Sequence, residues 1–248
     1  MIRLNRNRTL LAVLVALLVP GLAMAAESSY PMEPMSPDLQ NLPSLQSGFR
    51  HYVNYCIGCH SLEFQRYERT ADDLEIPYDI VAQQLIFTGQ KIGDRMLSAM
   101  NPEAAKSWFG APPPDLTMVA RVRGTEWIYN YLKTFYVDDS RPLGVNNKVF
   151  VNVGMPHALV ELQGIQRLGC AADVPKEQCD ELVVEEGTGT YTPEEYDQAV
   201  YDIANFLYYT GDPSRLERHR IGVYVLLFLL ILYAFTWLLG REYHKAVR

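Results

Sequence analysis

The chain has 248 residues, a net charge of −7 at neutral pH, 4 cysteines and 5 histidines. So acidic a balance argues against nucleic-acid binding and favours a basic soluble partner drawn in by long-range attraction. Residues 26–214 are long enough to bury a core as one domain.

Taken from the start, Arg3, Arg6 and Arg8 precede an apolar run from Leu10 to Val19, and Ala23-Met24-Ala25 follows as a small-x-small site. That is a secretory signal peptide: residues 1–25 are expected to be removed, leaving Ala26 as the first residue. Pro20 and Gly21 break the run, which is too short to span a membrane comfortably. Segment 26–43, with Pro31, Pro34, Pro37 and Pro43, reads as an extended arm whose first ten residues lack fixed structure.

Leu45, Phe49, Tyr52, Val53 and Cys56 recur at three- and four-residue steps, so a helix leads into Cys56-Ile57-Gly58-Cys59-His60. C-x-x-C-H is the spacing at which two thiols add to haem vinyl groups while the adjacent histidine reaches the iron. Two alternatives use the same thiols. A zinc site needs further Cys or His ligands nearby, and Cys170 and Cys179 lie more than a hundred residues away. A thioredoxin-type dithiol follows a strand, and Tyr52-Val53-Asn54-Tyr55 does not read as one. Covalent haem c also requires attachment outside the cytosol, which agrees with the leader.

A second helix is expected over Tyr78 to Phe87, stopped by Gly89. A third, Glu126 to Tyr136, is capped by Thr125 and shows Trp127, Tyr131, Leu132 and Phe135 on one side. Stretches 89–124 and 138–156 are rich in Pro, Gly and charge and read as ordered loops over the cofactor, not as sheet. The iron's second ligand must come from such loops. An open position would permit ligand binding or peroxide chemistry, whereas two protein ligands leave electron transfer. Met96, Met100 and Met118 are candidates. Met155 is the strongest, because Val153-Gly154-Met155-Pro156 puts a thioether on a stiff turn outside any helical period. His157 competes two residues later.

Cys170 and Cys179 are expected to form a disulfide stapling a charged loop between Leu168 and Leu182. Thr192-Pro193-Glu194-Glu195 is a capping box with proline at the first helical position. It opens a helix through Tyr196, Val200, Ile203 and Leu207, ended by Gly211-Asp212-Pro213. Ile221 to Leu239 is 19 residues without a charge, long enough for one crossing. Arg215, Arg218 and Arg220 before it balance Arg241, Lys245 and Arg248 after it, so charge leaves orientation open. The leader decides it: residues 26–220 are exported and the tail stays inside.

Gly48 to Leu62, around the C-x-x-C-H motif, resembles the haem-attachment segment of the cytochrome c1 family. Pro113-Pro114-Asp115-Leu116-Thr117 with Arg121-Val122-Arg123 is similar to that family's P-P-D-L-S…R-x-R segment, and Gly154-Met155 to its axial-methionine loop. The single C-terminal anchor completes the likeness. Pro156-His157 departs from the A-P-P of mitochondrial members, and the Cys170–Cys179 stretch is an insertion relative to them.

The resemblance implies a mainly α, class I cytochrome c-like haem domain with long loops, plus one C-terminal transmembrane helix spanning about 221–239 within 215–248. It implies one haem c on Cys56 and Cys59, with His60 and Met155 on the iron. His60 Nδ1 should be held by a carbonyl of Pro112-Pro113-Pro114. Arg121, or else Arg123, should meet a propionate. It further implies a redox subunit of a dimeric respiratory cytochrome bc1 complex, beside cytochrome b and the Rieske iron–sulfur protein. Electrons would pass from the Rieske protein to a soluble or membrane-bound cytochrome c, at a bacterial inner membrane with the haem domain in the periplasm. The competing reading is a free-standing membrane-anchored c-type cytochrome donating to a terminal oxidase or reductase.

Overall fold

The computed structural model describes residues 30–246 apart from residue 172, so the expected leader lies outside the described residues. Helix α1, Leu42–His51, runs into a π-helical turn, Tyr52–Cys56. There follow β1 (Leu62–Arg66), α2 (Tyr67–Asp73), α3 (Tyr78–Gln84), β2 (Arg95–Met96) and α4 (Pro102–Phe109). Next come α5 (Val119–Val122), α6 (Thr125–Lys133), β3 (Phe135–Val137), β4 (Val145–Asn147) and α7 (Val160–Gln163). Strands β5 (Gln166–Leu168) and β6 (Leu182–Val184) precede α8, Pro193–Thr210, and α9, Arg215–Ala246. The architecture is mainly helical with one long apolar C-terminal helix, as expected.

Two helices make the frame. Asn41 caps α1 by accepting from the Ser44 N–H at 3.2 Å, and α8 begins with the expected reciprocal box between Thr192 and Glu195. They cross where Gly48 has no side chain: a Cβ there would sit 2.1 Å from the Asp202 carbonyl oxygen. Phe49, Tyr52 and Phe206 fill the rest of the contact, fully buried, with the Phe206 ring 5.4 Å from Phe49 and 5.8 Å from Tyr52. Each such side chain is worth about 1.5–3 kcal/mol of burial. The Ser44 hydroxyl donates to Asp202 at 2.7 Å, so the buried carboxylate is not left bare.

The N-terminal arm is better fixed than its prolines suggest. Asn130 accepts from the Glu33 N–H and donates to the Glu33 carbonyl, at 2.9 and 2.8 Å. Asn205 treats Asp38 the same way, at 2.9 and 2.8 Å. Each amide imitates a strand neighbour, and Met35 between them is buried. Residues 30–35 are therefore ordered, a correction to the expectation of a loose start.

Other boundaries also move. Thr125 does not cap α6; Gly124, at φ 89°, precedes it without a side-chain bond. The helix stops at Lys133 instead of Tyr136 because the chain turns into β3, which pairs Phe135 with Asn147 and Val137 with Val145. The amides of Gln163 and Gln166 then serve the freed Lys133 carbonyl, at 3.1 and 2.9 Å. Helix α3 ends at Gln84, short of Phe87. The two stretches expected to be all loop contain β2, α4, α5 and β4. Among the described residues there are three two-stranded antiparallel ladders, β1–β2, β3–β4 and β5–β6. Cys170 and Cys179 are bridged, closing the loop between β5 and β6 as expected.

Within α9, the apolar stretch Ile221–Lys245 has 25 residues, and its most apolar 18-residue window has a mean hydropathy of 2.4 with none of it buried against the rest of the chain. At 1.5 Å per residue it reaches about 37 Å, more than the ~30 Å hydrocarbon core.

Candidate haem site

Cys56 closes the π-helical turn, and the next residues wind tightly back on it: the N–H groups of Cys59 and His60 both donate to the Cys56 carbonyl, at 3.0 and 2.8 Å. The buried Tyr52 hydroxyl donates to the His60 carbonyl at 2.7 Å, fixing that backbone from beneath. Ser98 ties the outer side, donating through its hydroxyl to the Gly58 carbonyl at 2.8 Å.

The proline-rich segment lies alongside. His60 Nδ1–H donates to the Pro114 carbonyl at 2.7 Å, which leaves Nε2 as the nitrogen that can ligate. Asp115 accepts from the Glu63 N–H at 2.6 Å, and the Leu116 N–H donates to the Ser61 carbonyl at 2.9 Å. These bonds register residues 114–117 against 60–64. The carbonyl sought within Pro112–Pro114 is that of the last proline. Burial lowers the His60 pKa against the raising effect of the Pro114 carbonyl, which favours the neutral ring that a metal would need.

These features test what the thiols are for. Cys56 and Cys59 are free while Cys170 and Cys179 are bridged. Burial pushes the Cys56 thiol up to about 12 and raises Cys59 as well, the opposite of the lowered value that makes a dithiol reactive. Among the described residues no group of three or more His, Cys, Asp or Glu could hold a metal ion, so a zinc site lacks ligands. Two free thiols beside a histidine with one committed nitrogen fit covalent haem.

The candidates for the second ligand, Met155 and His157, are placed by α6 and the β3–β4 hairpin. Trp127, Tyr131 and Phe135 form a column: Trp127 stacks on Tyr131 at 4.8 Å, and Tyr131 meets Phe135 edge-on at 5.1 Å. The Tyr131 hydroxyl donates to Met155 Sδ at 3.3 Å. His157 instead lies flat on Phe135 at 5.0 Å, with a buried, unpartnered Nε2 and a pKa that burial lowers to about 4. Thus Met155 and His157 face different members of one column.

Two asparagines hold the loop that bears Met155. Asn147 is fully buried; its Oδ1 accepts from the N–H groups of Val149 and Phe150, at 2.9 and 3.0 Å, and its Nδ2 donates to the Tyr131 carbonyl at 2.7 Å. Asn146 Oδ1 accepts from the Asn152 N–H at 2.8 Å, where the backbone turns left-handed at φ 63°. Gly154 permits close approach to α4: a Cβ there would lie 3.2 Å from the Phe109 carbonyl oxygen. Sequence reasoning missed Tyr131 as a partner of the sulfur and missed both asparagines. Consecutive Asn-Asn ahead of a Gly-Met turn was the available signal.

Arg121 reaches the end of α8, with Nη1 3.4 Å from the Gly211 carbonyl and 3.7 Å from Asp212. A hydrogen bond from Ser214 lowers the Asp212 pKa, and Arg218 and Arg121 add to that. Arg123 lies over the Trp127 ring at 5.2 Å. Arg121 is half exposed, and a propionate would have to share it with Asp212.

Over 246 residues the chain is 46% identical to "Cytochrome c1" of Allochromatium vinosum, covering 97% of this chain and 99% of that one. It is 40% identical to "Ammonia monooxygenase gamma subunit" of Nitrosomonas europaea, covering 95% and 97%. With "Cytochrome c1, heme protein, mitochondrial" of Schizosaccharomyces pombe the identity is 29%, over 78% of this chain and 64% of that one. The model of the Cytochrome C1 family matches residues 38–247, from the arm ahead of the attachment helix through the whole apolar helix, and the chain belongs to that family.

Proposed function

We propose that this chain is the haem c subunit of a respiratory cytochrome bc1 complex, taking an electron from the Rieske iron–sulfur protein and passing it to a cytochrome c. Family membership supports covalent haem c, electron transfer in such a complex and anchoring in a membrane through α9. One haem, held by Cys56 and Cys59, supplies a one-electron ferric/ferrous couple when bound. His60 ligates through Nε2, its ring fixed by the Pro114 carbonyl, and Met155 supplies sulfur. Trp127, Tyr131 and Phe135 exclude water from the crevice, so little rearrangement accompanies a change of charge. Arg121 offsets a propionate, shared with Asp212. The acidic surface of the exported domain attracts a basic acceptor.

Domain and membrane assignments follow the same reading. Residues 1–25 are a removed leader, 26–214 the periplasmic haem domain and 215–248 the anchor and inner tail, in a bacterial inner membrane. Cytochrome b and the Rieske protein pack beside the anchor, in a dimer.

The observation that carries the reading is the His60–Pro114 bond: it commits one ring nitrogen to the backbone and leaves the other, beside two free thiols, for iron. The gamma-subunit name belongs to the N. europaea relative, and the test separates it from the bc1 assignment. Purify the chain from its native membrane in mild detergent and titrate with a quinol. Co-purifying b-type haem and a Rieske cluster, with quinol-driven reduction of haem c, are expected. A c-type haem recovered without either would refute the bc1 assignment and favour a free-standing anchored cytochrome.

A further inference from the structure

The hydrogen bond from the Tyr131 hydroxyl to Met155 Sδ, 3.3 Å long, has no part in the attachment chemistry above. A thioether sulfur is acceptor-only and has two lone pairs. Resting on the reading of Met155 as an iron ligand, we propose that Tyr131 is a positioning residue for that sulfur. Its hydroxyl occupies one lone pair, leaves the other for iron, and raises the midpoint potential by weakening the sulfur as a donor.

The hydroxyl is well placed for this because the ring carrying it cannot swing. One face stacks on Trp127 at an interplanar angle of 10°, and Phe135 meets it edge-on at 73°. All three come from successive turns of α6 and its exit into β3, so the column is built by i, i+4 spacing. The sulfur is held from the other side by the same residue that holds the tyrosine backbone. Asn147 donates to the Tyr131 carbonyl while its Oδ1 accepts from Val149 and Phe150 at the base of the Met155 loop. One buried asparagine thereby keeps donor and acceptor in register.

The sign follows from charge. A donor on sulfur withdraws electron density, and ferric iron needs that density more than ferrous iron does. The bond therefore favours the reduced state, and its loss should lower the potential. A net hydrogen bond is worth a factor of about three to ten in an equilibrium constant. For a one-electron couple at about 59 mV per tenfold, a bond lost entirely on oxidation would be worth about 30–60 mV, which sets the ceiling of the fall.

The experiment compares the wild-type membrane protein with Tyr131→Phe, Met155→Leu and the double variant. Redox titration, the near-infrared methionine–ferric band and haem content are read for each. Tyr131→Phe is expected to keep its haem and the band while its potential falls, by no more than that ceiling. In the Met155→Leu background the same change should move the potential by nothing further, because the sulfur it acts through is gone. An unchanged potential in Tyr131→Phe, or an equal fall in both backgrounds, overturns the proposal; the latter would make Tyr131 act through crevice polarity alone. Failure of the Met155 reading shows separately, as a band and potential that survive Met155→Leu. Should the phenylalanine disturb the stack, 3-fluorotyrosine at 131 keeps the ring and strengthens the donor. It must then raise the potential, and a fall refutes the assignment.

Discussion

Gly48→Ala tests the packing on which the attachment segment rests. Two effects oppose each other. Alanine inside a helix is about 1 kcal/mol better than glycine. Against that, the new Cβ would sit 2.1 Å from the Asp202 carbonyl oxygen and 2.7 Å from both the Asp202 carbonyl carbon and Phe206 Cβ, below the 3.0 Å that real Cβ atoms keep. No rotamer change relieves a clash with backbone, so α1 and α8 must separate by roughly 1 Å, forfeiting dispersion contacts along both. That motion stretches the buried Ser44–Asp202 bond and loosens the Phe49–Phe206 contact. Overpacking costs about 1–3 kcal/mol and stands at the top of that range here. The net expectation is a loss of about 2 kcal/mol, or a Tm lower by about 4–8 °C for a chain of this size. Thermal unfolding of the haem-loaded chain in detergent measures it. Gly58→Ala is the control, since a Cβ at 58 meets nothing within 4 Å. A Gly48→Ala protein as stable as the wild type would refute the close crossing.

Met155→Leu should abolish the near-infrared methionine–ferric band and lower the midpoint potential; if both persist, redox titration of a His157 variant becomes the next step. Asn147→Ala strands the Val149 and Phe150 N–H groups it serves, at about 1–3 kcal/mol each, so a total loss of about 2–6 kcal/mol is expected in urea unfolding. Replacing Cys170 and Cys179 by alanine reopens a loop of sequence separation 9 and should cost about 2–3 kcal/mol while haem content, assayed as the pyridine derivative, stays unchanged. Asp138 gives a pH test. Burial pushes its pKa up, but the Lys176 ammonium at 2.8 Å, with Ser140 and Asn146, outweighs burial and holds it below the usual carboxylate range. Its contribution is therefore present above its unfolded value of about 3.9 and is lost as pH falls toward the folded one. The gap between the urea midpoints of wild type and Asp138→Asn should hold steady from pH 7 to about pH 5 and narrow as pH falls from there to 3; a constant gap would contradict the ion pair.

What the sequence made legible shares one property: the signal and the structure sit in the same few residues. The Thr192–Glu195 box and the C-x-x-C-H motif are of this kind, and so is the charge-free run from Ile221. The proline carbonyl for His60 was narrowed to three residues by the same logic. What stayed hidden depends on partners far apart in the chain. Strand β2 has only two residues, too few for any periodicity, and pairs with β1 some thirty positions earlier. The arm at 30–38 reads as loose because its two anchors, Asn130 and Asn205, lie about a hundred residues or more away. Helix α4 is different, because its signals were local: Asn101 caps it, Pro102 occupies the first turn and Gly110 ends it at φ 84°. Those signals were outweighed by the Pro and Gly content of the surrounding stretch.

The two halves of the site are secured by unlike means, and a difference in behaviour follows. His60 stands next to Cys59, which would be covalently committed once haem is attached; its backbone is bonded to the buried Tyr52 and its ring to the Pro114 carbonyl. The methionine side has no covalent tie. It depends on hydrogen bonds of about 1 kcal/mol apiece through Asn146, Asn147 and Tyr131. Partial unfolding should therefore release Met155 before His60, with the β3–β4 hairpin and its loop opening as a unit while α1 and α8 stay packed. In a urea titration the near-infrared band should disappear at a lower concentration than the helical circular dichroism. Asn147→Ala should widen that gap by moving the first transition more than the second. Coincident transitions in the wild type would mean that the loop is held by the core itself and not by its asparagines.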